Sequence, residues 1–176
     1  MRRRLTWWVL IAAIAVTALY YAKKALASPA QGFTGTTLAL GRFGDIDVFN
    51  HFVLPNSAQE EDDHKIWLSW QKTKGSSDLY VQNNVWQPGG STGWHSHPGH
   101  SLIIVTAGTV TAYEGNDPSC TPHVYTVGTG FVDPGGSHVH IVRNESNVIA
   151  QTIAVQLIPA GQPRRIDATD PGNCHF

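Results

Sequence analysis

Helix signals are nearly absent from this chain. Past residue 36 it is a succession of short β-branched and aromatic runs broken by Gly, Pro, Asn and Asp, without internal repeat or low-complexity tract. That is the pattern of an all-β sandwich or barrel. Charge is scarce as well, with 12 Lys and Arg and 13 Asp and Glu in 176 residues. Five of the basic residues fall within the first 27, leaving 7 against 13 and a formal −6 for the rest. Such a balance argues against nucleic acid or an anionic membrane surface as partner and makes a small-molecule ligand or substrate the better expectation. Cysteine is limited to Cys120 and Cys174. An even count in an exported chain favours a disulfide, for which closing a loop of about 55 residues is worth about 4 kcal/mol in the chain-entropy picture. Both are read as staples rather than as metal ligands or nucleophiles.

The N-terminus is a segment of another kind. Met1-Arg2-Arg3-Arg4 is basic, Trp7 to Ala22 is an almost unbroken apolar run, and Ala25-Leu26-Ala27 is a small-x-small cleavage pattern. Residues 1–27 are therefore expected to form a helical signal peptide or signal anchor. Lys23 and Lys24 suit an uncleaved anchor, whereas the apolar run falls short of the roughly 20 residues a span needs, which favours cleavage. The reading is an exported protein, periplasmic or secreted, or one anchored by residues 7–22, with membrane contact only through an uncleaved segment. The arginine pair is a weak twin-arginine signal. Residues 28–36 are small and turn-rich and are expected to be a flexible leader. Residues 37–176 then suffice for a single domain and are too few for two.

Strands are expected at 79–86, 101–106, 109–114, 124–127, 138–142 and 148–158, with a tight hairpin at Ala107-Gly108. The acidic stretch Ala58 to His64 reads as a solvated loop or single turn. Within this frame stands a split histidine cluster, His95-Ser96-His97 and, some forty residues on, His140 followed by Asn144. Two histidines at i and i+2 on a strand point to one side, so a third from a neighbouring strand can face the same ion.

The cluster and its glycines resemble the two signature motifs of the cupin superfamily, small double-stranded β-helix barrels of the jelly-roll class. The first motif runs Gly, five residues, His-x-His, three or four residues, Glu, six residues, Gly; here Gly89, His95, His97 and Gly108 fall in register. The second runs Gly, five residues, Pro-x-Gly, two residues, His, three residues, Asn. Gly128, Pro134, Gly136, His140 and Asn144 follow it with one extra residue before the histidine. The resemblance covers roughly 79–158 and implies one divalent metal ion held by His95, His97 and His140, with iron, copper, nickel, zinc and manganese all open. It also brings the analogy of barrel pairing into a homodimer.

Two departures bear on function. Ser101 stands where the family usually places its glutamate, seven residues before Gly108. A serine hydroxyl is a poor ligand for a divalent ion, so the expected centre is three neutral imidazoles and open water positions, which leaves the ion its full charge and favours an anionic substrate or a more acidic bound water. Three-histidine cupins that work as oxygenases are relatives of this kind. The second departure is surplus histidine: His100 is a candidate fourth ligand, while His138 is expected to lend polarity around the site. Asn144 is expected to fix a loop, Trp86 and Trp94 to pack in the core or at the rim, and Tyr113 and Glu114 are the nearest candidates for a general base. His51, His64, His123 and His175 are read as surface or satisfied core residues. The function expected is a metal-dependent, oxygenase-like enzyme acting on a small organic molecule, and the alternative is a non-enzymatic barrel that binds a metal or small ligand.

Overall fold

The computed structural model describes residues 28–53 and 66–176, which carry twelve strands and no helix. The leader at 1–27 and the acidic stretch at 58–64 lie outside the described residues, and no helix among the described residues is long and apolar enough to cross a membrane. The strands are β1 (Gln31–Phe43), β2 (Asp47–Val53), β3 (Ile66–Lys72), β4 (Ser77–Ser91), β5 (His95–Ser96), β6 (Ser101–Ala107), β7 (Thr109–Glu114), β8 (His123–Thr126), β9 (Gly130–Asp133), β10 (His140–Arg143), β11 (Ala150–Pro159) and β12 (Ile166–Asp167). Ten of them form one sheet in the order β12-β5-β10-β4-β11-β6-β9, with β1 added on β4 and β7 joining β10 to β8. Every pairing is antiparallel, and the sheet curls into a nearly closed barrel.

Period-two alternation explains the inward face. Along β6, Ser101, Ile103 and Val105 are buried while Leu102 and Ile104 are exposed, which is how one strand serves the core and solvent at once. The inner face changes character along the barrel axis. Trp86, Val105, Val110, Ala112, Val142 and Ala150 fill one end as an apolar cluster, with Phe33, Tyr125 and Phe131 packed against it. Burial of side chains such as Trp86 or Val105 contributes about 1.5–3 kcal/mol each. Towards the other end the inward positions turn polar, with Asn84, Thr152, Gln156, Ser101, His95 and His140 all buried.

Gly108 makes the expected hairpin between β6 and β7. It sits at φ +66, and a Cβ there would meet the Ile149 carbonyl oxygen at 2.6 Å, so only glycine fits. The expected leader at 28–36 is corrected: its small residues extend from Gln31 as the start of β1, paired along β4 from Gln31 opposite Ser91 to Phe43 opposite Ser77. Thr and Gly favour turns when nothing pairs with them, but a ready sheet edge recruits them. The strand expected at 138–142 begins at His140, so His138 lies in the preceding loop. The ribbon of β2 and β3 stands apart from the sheet and exposes Phe49, Phe52, Trp67, Leu68 and Trp70.

A second cluster, Trp94, Tyr113, Ile141 and Cys174, packs on the outside of β10 and β7. The expected disulfide is present: Cys120 and Cys174, 54 positions apart, are bonded with their Cα atoms 5.2 Å apart. It ties the C-terminal tail over Trp94, and Asn173 Nδ2 adds hydrogen bonds to the carbonyls of Glu114 and Asp117.

Where β1 meets β4, Arg42 lies opposite Asp78 and grips its carboxylate through Nε (2.7 Å) and Nη2 (2.9 Å), while the Gly161 amide donates to the same group. These contacts hold the Asp78 carboxyl down at about 2, below its ordinary 3.8. A depressed acid stabilises the fold above the unfolded value and loses that contribution as pH falls through the folded one. Between pH about 4 and 2, thermal unfolding should show a falling midpoint in the wild type. Asp78→Asn should start lower at neutral pH and show a smaller decline across that window.

Candidate metal centre

One rung of the sheet brings the two halves of the histidine cluster together. His95 in β5 lies directly opposite His140 in β10, with ring centroids 4.4 Å apart. His97 follows one residue past β5, its ring 4.7 Å from His95 and 5.4 Å from His140. The three present ligand atoms within 4.8 Å of one another, as the i, i+2 spacing anticipated.

Two of the rings are aimed by backbone carbonyls. His95 Nδ1 donates to the Gly93 carbonyl at 2.8 Å, and His97 Nδ1 donates to the Arg164 carbonyl. A ring that donates through Nδ1 keeps its lone pair on Nε2, the arrangement a metal-binding imidazole needs. Gln156 Nε2 donates to the same Arg164 carbonyl, so β11 helps to place His97. Burial, the main cause, pushes the pKa of all three imidazoles down: well below normal for His95, and to about 4 for His140 despite the opposing pull of Asp133. Neutral imidazoles are the form that binds a cation.

The two loops carrying the histidines touch at glycines. Gly135 has φ +71, and a Cβ there would sit 2.3 Å from the Gly99 backbone. Beyond His140, Asn144 is fully buried and closes the loop to β11. Its Nδ2 donates to the carbonyls of Val148 (2.7 Å), Gln87 (3.2 Å) and Trp86 (3.3 Å), and its Oδ1 accepts from the amide and hydroxyl of Ser146.

The remaining expected residues divide. Ser101 is buried and lines the same cavity as the histidines. His100 does not join them: it faces a separate hollow with Phe43, Leu102 and Leu157. His138 stacks on His140 with centroids 5.5 Å apart and contacts Glu114 Oε2 through Nε2. Tyr113 points the other way, into the outer cluster, where its hydroxyl donates to Glu145 and burial pushes its pKa up to about 12. It is no general base for this cavity. Trp86 lines the cavity, whereas Trp94 packs outside it. His51, His123 and His175 are exposed, and His64 lies outside the described residues.

Sequence reasoning passed over Asp133. Its side chain is 4 % exposed, Oδ1 lies 3.4 Å from His138 Nδ1 and 3.8 Å from His140 Nδ1, and Oδ2 lies 3.5 Å from His97 Nε2. Asp133, His138 and His140 form a second group able to hold an ion. The signal was there as alternation: Phe131 and Asp133 share a face of a short strand, and Phe131 is a core-packing residue. Also missed were Arg164 and Arg165, which reach the cavity from the segment after β11. The cavity itself has about 780 Å3, solvent at its mouth included, and runs from the histidines past Gln82, Asn84 and Thr152 to Phe33, Ile103 and Phe131.

A nearly closed antiparallel barrel with convergent histidines at the polar end of its interior defines the class. Residues 85–156 match the family model described as a cupin domain, so that part of the chain is a cupin domain. No curated protein matches the sequence. Among solved structures, an oxalate oxidase is 20% identical at a TM-score of 0.40, over 47% of this chain and 46% of its own. The chain thus spans less than half the length of that enzyme. A cupin superfamily protein from Desulfitobacterium hafniense is 11% identical over 63% of this chain and 78% of its own, also at 0.40. A predicted oxalate decarboxylase from Thermotoga maritima is 18% identical over 48% and 83%, at 0.38.

Asn144→Ala should leave the Val148, Gln87 and Trp86 carbonyls unpaired inside the protein. We expect a loss of about 3 kcal/mol in urea unfolding.

Proposed function

We propose that this cupin is an exported, metal-dependent enzyme of oxygenase type. His95, His97 and His140 hold one divalent ion, and a small organic molecule is turned over in the cavity beside them. The observation that carries the reading is the aim of the imidazoles: two Nδ1 atoms are tied to backbone carbonyls, which leaves their Nε2 lone pairs directed away from those ties. Unprotonated, buried rings of this kind fit a transition-metal ion and suit iron, copper, nickel, zinc or manganese. Such an ion supplies Lewis-acid polarisation or, where it is redox active, oxygen activation.

The chain's own residues would choose the substrate. Phe33, Trp86, Ile103 and Phe131 form an apolar wall, and Arg164 and Arg165 bring positive charge. Arg164 is held in place by Gln156 Oε1 at 3.2 Å, Thr37 Oγ1 at 2.9 Å and the Tyr80 ring beneath its guanidinium. Among the described residues no carboxylate pairs with it, which leaves it suited to an anionic substituent. Trp86 Nε1 and Asn84 Oδ1 are buried without a protein partner and are available to polar atoms of a bound molecule. The disulfide supports export to an oxidising compartment. The other reading, a barrel that only captures a metal or ligand, is favoured by one fact: Tyr113 is turned away and leaves no tyrosine in general-base position.

Metal analysis of the purified protein should find close to one equivalent, and His97→Ala should lose most of it. A metal-free wild type would sink both readings. Oxygen uptake on a panel of diketones, thiols and phenolic acids separates the enzyme from the binder, since only the enzyme consumes oxygen with turnover. We further propose that two copies pair through the β2–β3 ribbon, because an isolated two-stranded ribbon with apolar faces is marginal in water. Sedimentation should show a dimer that Trp67→Ser with Trp70→Ser converts to monomer.

A further inference from the structure

We propose that Asp133 supplies the carboxylate ligand that position 101 lacks, so that the centre is three imidazoles and one carboxylate, the last entering from β9 instead of β6. The inference rests on the metal-binding reading above and adds a ligand to it.

The register makes the exchange geometrically direct. Ser101 and Asp133 are partners across the β6–β9 ladder, and both side chains are buried. Directly opposed residues on one face of an antiparallel pair have Cβ atoms about 5 Å apart, within reach of a carboxylate's length. A carboxylate on either strand of this rung reaches the same corner of the barrel.

Charge supports it. Asp133 is buried, yet among the described residues no lysine or arginine lies within ion-pair distance of it, only His97, His138 and His140. Its Oδ1 accepts the Gly135 amide at 3.0 Å and faces His138, which fixes the carboxylate's rotation. Its Oδ2 is buried with no hydrogen-bond partner at all. An anion taken out of water requires a compensating cation or a full set of donors, and Oδ2 has neither. A divalent ion on the histidine side supplies the charge.

The contact with His97 agrees. Metal bonds of about 2.0–2.2 Å set two donors of one ion about 3 to 4 Å apart, and Asp133 Oδ2 lies 3.5 Å from His97 Nε2. The same observation chooses between the two groups of candidate ligands. His138 turns Nδ1 to Asp133 Oδ1 at 3.4 Å and has the Glu114 carboxylate against its Nε2 edge, so it is a positioning residue for the carboxylate. The free oxygen faces His97, and the ion belongs with His95, His97 and His140. A bound carboxylate also lowers the net charge of the centre and favours harder ions such as manganese or ferrous iron. Attraction for an anionic substrate then falls more heavily on Arg164 and Arg165.

The test moves the carboxylate across the rung and reads binding, not activity. Metal-stripped protein is titrated with Mn(II), and free ion is followed by its electron paramagnetic resonance signal. Wild type should bind one equivalent. Asp133→Asn should bind about 30- to 100-fold more weakly, on the scale known for damage to metal centres. Ser101→Glu combined with Asp133→Ser should return affinity to within about tenfold of wild type, as the geometry of the rung demands. If Asp133→Asn fails to fold by circular dichroism, the exchanged pair decides alone: retained binding supports the proposal and lost binding overturns it. Asp133→Asn binding within threefold of wild type, or a loss that the exchanged pair does not recover, also overturns it. Wild type that binds no Mn(II), zinc or nickel ends the metal reading itself, a result distinct from the others because it appears before any substitution.

Discussion

His95 and His140 face each other across a rung that β5, two residues long, can barely hold by itself. Its position is borrowed from neighbours. The Thr92 amide donates to the Val142 carbonyl, Thr92 Oγ1 accepts from the Val142 amide, and Trp94 is pinned by Ser28 Oγ at its amide and Ala168 at its carbonyl. β10 is fixed in turn at its far end, where the Asn144 amide donates to the Gly90 carbonyl and its side chain closes the following loop. The site is therefore set by hydrogen bonds made several residues from any histidine. The disulfide acts at the same place, tying the tail over Trp94 on the outer side of the rung.

The polar end of the barrel is expensive to build. Buried polar groups must be paired or they cost about 1–3 kcal/mol each, and this end concentrates Asn84, Ser101, Asp133, Thr152, Gln156, His95 and His140, with His97 half-buried beside them. Most are partnered: Asn84 Nδ2 donates to Thr152 Oγ1, and Gln156 exchanges hydrogen bonds with Arg164. The atoms left over are informative because they are few and close together. Asp133 Oδ2 and His140 Nδ1 remain unpaired at the histidines, and Asn84 Oδ1 and Trp86 Nε1 remain unpaired along the cavity wall. The other unpaired buried atoms among the described residues are Glu114 Oε2, beside His138, and Asn173 Oδ1 in the tail, so the unpaired groups gather mainly around the histidines and the cavity wall, an arrangement that suits an ion at one end and a molecule beside it. The large apolar cluster at the opposite end carries the stability that such an arrangement costs.

Much of this was legible in the chain. Alternation marks β6, where one face is buried and period two is forced on it, and β7 follows from the β-branched and aromatic run after the Gly108 hairpin, although it is buried on both faces. The glycine register flanking the histidines pointed to the barrel, and positive φ at Gly108, Gly128 and Gly136 shows why glycine stands at those turns. What escaped had physical reasons. The start of β1 is written in Gln, Gly and Thr, which signal a turn until a partner strand is present. Arg164 enters the cavity from a segment with no periodicity of its own, positioned by Gln156 and Tyr80 from other strands. His100 follows His97 closely in sequence, yet the turn at Gly99 sends it to a different hollow.

Asp133 escaped for a more general reason. A motif is written along one strand, whereas a site in a barrel is assembled across strands. Position 101 lacks the carboxylate that the resembled motif places there, and along β6 alone that absence defines the centre. The sheet shows that the partner of position 101 is thirty-two residues away in sequence and one ladder step away in space. A cavity distinguishes only where a functional group ends, so the two strands of a rung are interchangeable sources for it, provided that the turn beyond can orient the side chain. Here the Gly135 amide does so by taking Oδ1 and leaving Oδ2 to face His97. The gap at Ser101 and the unpaired oxygen at Asp133 are two halves of one observation, which neither strand discloses by itself.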